Sequence, residues 1–354
     1  MARLAETVQT VFTLRRCAAA GPKLGVKGKR SVASISGVCI FGMFALFQGI
    51  LACADETNRI VLIVVGAEGE SVYGERFMAE ATNWQHAAEL GKARSILVGA
   101  DHETNELTQV RSVITQELQK ADEEFWIVLI GHGTFDGKEA RFNLRGPDLT
   151  AKELGTLLQA FERPLIVVDT ASGSGAFLQA LSGTNRVVIT ATRSGNEQNY
   201  ARFGEFMALA VADPAADLDK DGQTSVLEAF LSASRKATDF YKTEGRLATE
   251  HAMIDDNGDH RGTPADWFAG IRVTRKSTEN FKPDGFRANQ IQLVRNAREA
   301  ALTVEQRQRR DELEREIENL RGRKREMQED DYYRELEKIM LELGGIYGAA
   351  GGNP

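Results

Sequence analysis

Cysteine is nearly absent from this chain. Three occur in 354 residues, Cys17, Cys39 and Cys53, and none follows position 53. The body of the protein therefore holds no disulfide framework and no cysteine nucleophile. Histidine is scarce too, at 5 residues, so few side chains can take up a proton near neutral pH. Long apolar runs are missing as well. The longest, VCIFGMFALFQGILA at 38–52, falls short of the ~20 residues that a bilayer span needs. A net positive charge is lacking after residue 54. The first 54 residues carry seven basic groups and one acid, a net +6, so the chain's −7 leaves −13 for the remainder. An acidic body repels phosphate backbones, which excludes nucleic acid as a partner.

What the chain does have begins with residues 1–54, read as a signal peptide or an N-terminal anchor. Lys23, Lys27, Lys29 and Arg30 precede the apolar run, and Ala52-Cys53-Ala54 closes it. A basic region, an apolar core and a small-residue exit form an export signal, which predicts a periplasmic or extracellular protein. Ile50-Leu51-Ala52-Cys53 also fits a lipoprotein signal, with Cys53 as the lipidated residue.

From Arg59 onward, short apolar runs recur at 60–66, 95–100, 125–133, 164–170 and 186–192. None alternates with polar residues, as expected of strands buried on both faces. Helical patterns lie between them, near 74–91, 104–120, 150–162, 174–182 and 198–212. The alternation predicts an α/β fold with a mostly parallel sheet flanked by helices. WFAGIRV at 267–273 reads as a further strand, so one domain is expected over 55–283. Residues 284–345 are charge-dense, with Leu313, Ile317, Leu320 and Met327 in heptad spacing and Tyr333, Leu336, Met340 and Leu343 in a shifted phase. These predict a C-terminal helical hairpin or coiled coil, open to self-association. Residues 346–354 read as a disordered tail.

The strongest local motif is DLDKDGQTSVLE, 217–228. Asp217, Asp219 and Asp221 take loop positions 1, 3 and 5, with Gly222 at the sharp turn. Gln223 offers a carbonyl at position 7, Ser225 an oxygen at position 9, and Glu228 two oxygens at position 12. Calcium takes six to eight oxygen ligands, and this spacing wraps them round one ion, as in an EF-hand loop. A lone loop fits a structural clamp better than a sensor. A second acidic stretch, with Asp255, Asp256, Asn257 and Asp259, is either another cation loop or an Asp/Asn/Gly turn.

Two strand ends hold the remaining chemistry. His132 ends the apolar run VLIGHG, where a glycine on each side lets backbone approach a ligand. It reads either as a general base or as a histidine satisfied by a loop carbonyl. His86 and His102 read as surface residues, and His251 and His260 lie on loops or helices. The next site is Asp169-Thr170-Ala171-Ser172-Gly173, after PLIVV.

Together, His132-Gly133 and the 169–173 turn resemble the caspase–legumain group of cysteine peptidases. Stretches 141–158, 190–206 and 249–259 share the likeness, which covers about 60–273. The resemblance implies a caspase-like fold, a peptide groove, and an oxyanion hole from the N–H groups of Gly133 and Ala171. It also implies a cysteine where this chain has Ala171, and a methyl group cannot attack a carbonyl. The expectation is thus an exported, non-catalytic, calcium-binding module that holds a peptide or protein partner in a vestigial groove lined by His132, Gly133 and Ala171. The alternative is a hydrolase using Ser172 or Ser174 with His132, although the turn is not the G-x-S-x-G of α/β-hydrolases.

Overall fold

The structure is a computed structural model that describes residues 59–101, 104–120, 123–275 and 282–350. The segment read as an export signal, with Cys53, lies outside the described residues. The chain begins β1 (Ile60–Val65), α1 (Ser71–Leu90), β2 (Arg94–Val98), α2 (Glu106–Leu118) and β3 (Phe125–Ile130). A short antiparallel flap follows, β4 (Gly133–Phe135), β5 (Ala140–Phe142) and β6 (Leu149–Thr150). Then come α3 (Ala151–Leu158), β7 (Leu165–Asp169), α4 (Leu178–Leu181), β8 (Arg186–Thr190), α5 (Phe203–Ala210) and α6 (Val226–Thr243). The chain continues through β9 (Met253–Asp255), β10 (Thr263–Pro264), β11 (Phe268–Ala269) and β12 (Arg272–Val273). It ends with α7 (Phe286–Asn289), α8 (Ala297–Ala300), α9 (Val304–Arg323) and α10 (Glu329–Ala350).

The main sheet has seven strands in the order β10-β9-β8-β7-β3-β1-β2. Strands β2, β1, β3, β7 and β8 run parallel, while β9 and β10 are antiparallel additions at one edge. The mostly parallel α/β sheet expected from the apolar runs is present. Strands β1, β3, β7 and β8 are buried along their whole length. One face packs Val61, Ile63, Trp126 and Val128 against Phe77 and Trp84 of α1 and Phe203 and Phe230 of α5 and α6. The other packs Leu62, Val64, Ile127 and Leu129 against Val110 and Ile114 of α2 and Leu154 and Leu158 of α3. Strand order reverses between β1 and β3, so the carboxyl ends of these strands mark the topological switch point of the sheet.

Two expectations need correction. WFAGIRV is not a strand of the main sheet: Gly270 has a φ of +60°, which turns β11 back on β12 as a separate two-stranded hairpin. Nor do the apolar contacts break at 284. Ala288, Ile291 and Leu293 are buried in the same core as β1 and α1, and Arg59 donates to the Leu293 carbonyl at 2.9 Å. The 284–302 segment is a strap across the α/β domain.

Beyond the strap, α9 and α10 form the antiparallel hairpin, paired by Arg309 with Glu342 at 2.7 Å and Arg323 with Glu335 at 3.8 Å. Leu313, Ile317 and Leu320 are buried as the heptads predict, but Tyr332 rather than Tyr333 turns inward. Helix α10 also runs past 345 to Ala350. Arg310, 4% exposed, anchors the base of the hairpin to Glu299, Asp311 and the Gln290 carbonyl. Breaking a buried ion cluster by removing one partner costs about 3 kcal/mol or more. Arg310→Ala is therefore expected to lower the urea midpoint and to make the strap an early site of proteolysis. A midpoint equal to the parent's would show that the cluster does not hold the hairpin.

Candidate functional site

Tight backbone contact brings the two strand ends together. A β-carbon at Gly133 would lie 2.3 Å from the Ser172 carbonyl oxygen, so only glycine lets β4 leave the sheet against the turn after β7. Here the Gly133 N–H donates to Ser172 Oγ at 3.2 Å. His132, half-buried, lies edge-on to Tyr73 at 4.9 Å and Phe77 at 5.2 Å, with Tyr200 at 6.5 Å. Burial lowers its pKa, opposed by the backbone of Glu68.

The turn is closed from within. Asp169 is fully buried; its Oδ1 accepts from the Ala171 N–H at 3.1 Å, and its Oδ2 has no partner among the described residues. Burial pushes its carboxyl up to about 7. The Ala171 side chain is only 1% exposed. The two amides that the resemblance assigns to an oxyanion hole are thus engaged by Ser172 Oγ and Asp169 Oδ1. The hydroxyls are occupied as well. Ser172 Oγ also reaches the Gly133 carbonyl at 3.4 Å, and Ser174 Oγ contacts Thr192 Oγ1 at 3.3 Å and its N–H at 3.2 Å. Among the described residues, neither serine bonds to His132.

The 217–228 loop lies between α5 and α6. Ligand oxygens of Asp217, Asp219 and Asp221 all fall within 4.8 Å of one another. Positive φ angles at Lys220 (63°) and Gly222 (89°) let the chain curl, and Asp217 accepts the N–H groups of Lys220 at 2.6 Å and Gly222 at 3.0 Å. Asp221 Oδ1 accepts from Gln223 N–H at 3.0 Å. Three carboxylates at this separation fit one hard cation. Ser225 and Glu228 are placed differently from simple ligands. They form the capping box of α6, and Glu228 accepts the N–H groups of Leu218 at 2.7 Å, Asp219 at 3.1 Å and Ser225 at 2.8 Å. Gln223 Oε1 accepts the Asn296 N–H at 3.3 Å, which ties the loop to the strap.

No family model and no curated protein matches the chain. Among solved structures, the chain is similar to a structural-genomics protein of Geobacter sulfurreducens, with 13% identity over 51% of this chain and 89% of that one, at a TM-score of 0.37. It is similar to the Drosophila initiator caspase Dronc, with 15% identity over 69% of this chain and 96% of that one, at a TM-score of 0.37. Caspase-1 from Spodoptera frugiperda is 10% identical over 58% of this chain and 89% of that one, at a TM-score of 0.39.

Sequence reading missed one residue beside the turn. Glu80 of α1 is buried and lies 2.9 Å from Thr170 Oγ1. Burial pushes its carboxyl up to about 8, with Glu205 and Glu250 adding repulsion. A β-carbon at Gly204 would sit 2.5 Å from Glu80 Oε1, so the start of α5 is shaped round this carboxyl. The acids at 255–259 act as turn and strap acceptors. Asp255 accepts the Gly258 N–H at 3.0 Å, Asp256 accepts the Ala288 N–H at 2.8 Å, and Asp259 accepts the Arg261 N–H at 2.9 Å. Among the described residues, only Asp217, Asp219 and Asp221 gather as a metal-ligating group. No helix among the described residues is long and apolar enough to cross a membrane.

Proposed function

We propose that this chain is an exported, caspase-like module that holds a peptide at its strand ends without cleaving it, carries calcium in the 217–228 loop, and associates through its C-terminal helices. One observation carries the non-catalytic reading. The turn facing Gly133 carries the buried methyl of Ala171 where a nucleophile would stand, while the hydroxyls beside it, Ser172 and Ser174, are buried and bonded elsewhere. Basic, apolar and small-residue segments in order at 1–54 support export. The test is a peptidase assay of the full chain on a peptide library with calcium present. No turnover is expected. Turnover that disappears in Ser172→Ala or Ser174→Ala would replace this reading with the hydrolase one.

The calcium reading rests on the position-by-position spacing of the loop and on its three gathered carboxylates. Binding at a hundred times the dissociation constant adds ~2.7 kcal/mol to stability, which for a domain of this size is a rise of several degrees in Tm. Calcium is expected to produce that rise, and Asp219→Asn to reduce it. Glu228→Gln is expected to reduce it too, while also lowering the Tm without calcium, because Glu228 holds three backbone amides. A parent whose melting ignores calcium would remove the metal.

A further inference from the structure

The strap joins the α/β domain at two buried acids. Asp256, just after β9, is 8% exposed, and Asp284, the first residue of the strap, is 4% exposed. Asp284 Oδ1 accepts the Asp256 N–H at 3.0 Å, and its Oδ2 lies 2.5 Å from Thr263 Oγ1 of β10. Asp256 Oδ2 accepts the Ala288 N–H of α7 at 2.8 Å. Among the described residues, no arginine or lysine bonds to either carboxyl. Asp255 of β9 is buried nearby and adds repulsion. Asp259 and His260, on the turn that follows, act on Asp255. Arg287 of α7 sends its guanidinium to Asp311 at 2.7 Å and Asn185 at 3.2 Å. Two carboxyls in one dry site without a cation cannot both ionise, so one proton stays. The charge belongs on Asp256, which the amides at the start of α7 receive. The proton belongs on Asp284, with the Thr263 hydroxyl in reach to accept it.

We propose that this proton is a latch: while Asp256 and Asp284 share it, α7 lies closed on the domain, and its loss releases the start of the strap. Burial, and then the charge of Asp256, push the Asp284 carboxyl up to about 8. In a released strap the group returns to its ordinary value, about 4. The closed state therefore keeps a proton that the open state has given up. Closure is firmest below about pH 4. It weakens as pH rises towards 8, with the opening constant growing about tenfold per pH unit. Release also reaches α6. Helix α7 ends at Asn289, whose Oδ1 accepts from Ser225 Oγ at 3.1 Å, and the Ile291 carbonyl accepts the Val226 N–H at 2.9 Å. Lifting α7 loosens both bonds and uncovers the start of α6. The latch does not rest on the peptidase, calcium or association readings.

Hydrogen exchange of the full chain tests it, with rates corrected for the intrinsic effect of pH. From pH 6 to pH 8 the protection of amides 285–289 is expected to fall about a hundredfold in the parent. At pH 8 it should lie well below the protection of β3, because the opening is local. Asp284→Asn still accepts the Asp256 N–H and offers an N–H to Thr263 in place of the proton. In this variant the fall is expected to shrink to about threefold or less. A parent equally protected at both pH values overturns the proposal, as does a variant that falls as far as the parent. So does protection at 285–289 that matches β3 at pH 8, since the strap would then open only with the whole domain. The two parent measurements decide the matter even if the variant fails to fold.

Discussion

Between pH 5 and pH 8.5 the folded protein is expected to lose several kcal/mol of stability, and Glu80→Gln is expected to recover about half of that loss. The cause is burial of acids away from cations. Glu80 is pushed up to about 8 and Asp169 up to about 7, both chiefly by desolvation. Asp284 moves upward as well, because it is buried beside the Asp256 carboxylate. For each, the folded pKa exceeds the unfolded one, near 4. Across the window from about 4 to about 8 the folded state therefore keeps protons that the unfolded chain has released. Stability from these groups is complete below pH 4 and is lost as pH rises through the folded pKa. Glu80 alone contributes on the order of 4 kcal/mol to that loss.

The geometry round Glu80 agrees with a neutral carboxyl. Thr170 Oγ1 lies 2.9 Å from both Glu80 Oε1 and the Leu129 carbonyl, and one hydroxyl proton cannot serve both. A protonated Glu80 donates to Thr170, which donates to Leu129. The glutamine variant keeps a donor there at every pH. Its urea midpoint should match the parent's at pH 5 and exceed it at pH 8.5. Parallel pH profiles for parent and variant would show that Glu80 ionises freely in the folded state. At the acid end the sign reverses for Glu124, which Arg295 and Arg59 hold below its usual range despite its burial, so acid removes stability there.

Much of this architecture was legible in the sequence, for physical reasons that also mark the limits. Strands buried on both faces need continuous apolar runs, and β1, β3, β7 and β8 announce themselves that way. The flap β4–β6 does not, because strands of two or three residues carry no period. Heptads located α9 but misplaced one position of α10, since adjacent tyrosines make the phase ambiguous. Glu80 was invisible because a glutamate on a helix reads as a solvent-facing residue; only Gly204 and Thr170, far along the chain, bury it. The loop spacing at 217–228 was plain, yet spacing cannot reveal that Glu228 spends its oxygens on backbone amides. Ala171 was read directly, since the absence of a sulfur needs no fold to be noticed.

Ala171→Cys is expected to turn a parent expected to be silent into a measurable peptidase, and Ser172→Ala in that background to raise the rate about tenfold further. A thiol at 171 would stand in the turn that Gly133 closes on, and His132, at the neighbouring strand end, is the imidazole that would take its proton. Removing the nucleophile from such a site leaves only the small rate that binding and polar donors provide, so restoring it should recover several orders of magnitude. Full recovery is opposed by two features. The Gly133 N–H is bonded to Ser172 Oγ, and a missing oxyanion donor lowers kcat by ~10²-fold or more. Ser172→Ala frees that amide. Asp169, beside the new thiol and ionised above about pH 7, would disfavour the thiolate. Ala171→Cys with Asp169→Asn should therefore gain most at pH 8. Iodoacetamide reactivity, measured against the parent to subtract Cys17, Cys39 and Cys53, reports separately whether the new sulfur is reachable. A reactive thiol without turnover would mean that peptides no longer seat at the strand ends. An unreactive one would mean that the turn has closed over position 171, and the proposed binding role would then have to lie at another surface of the molecule.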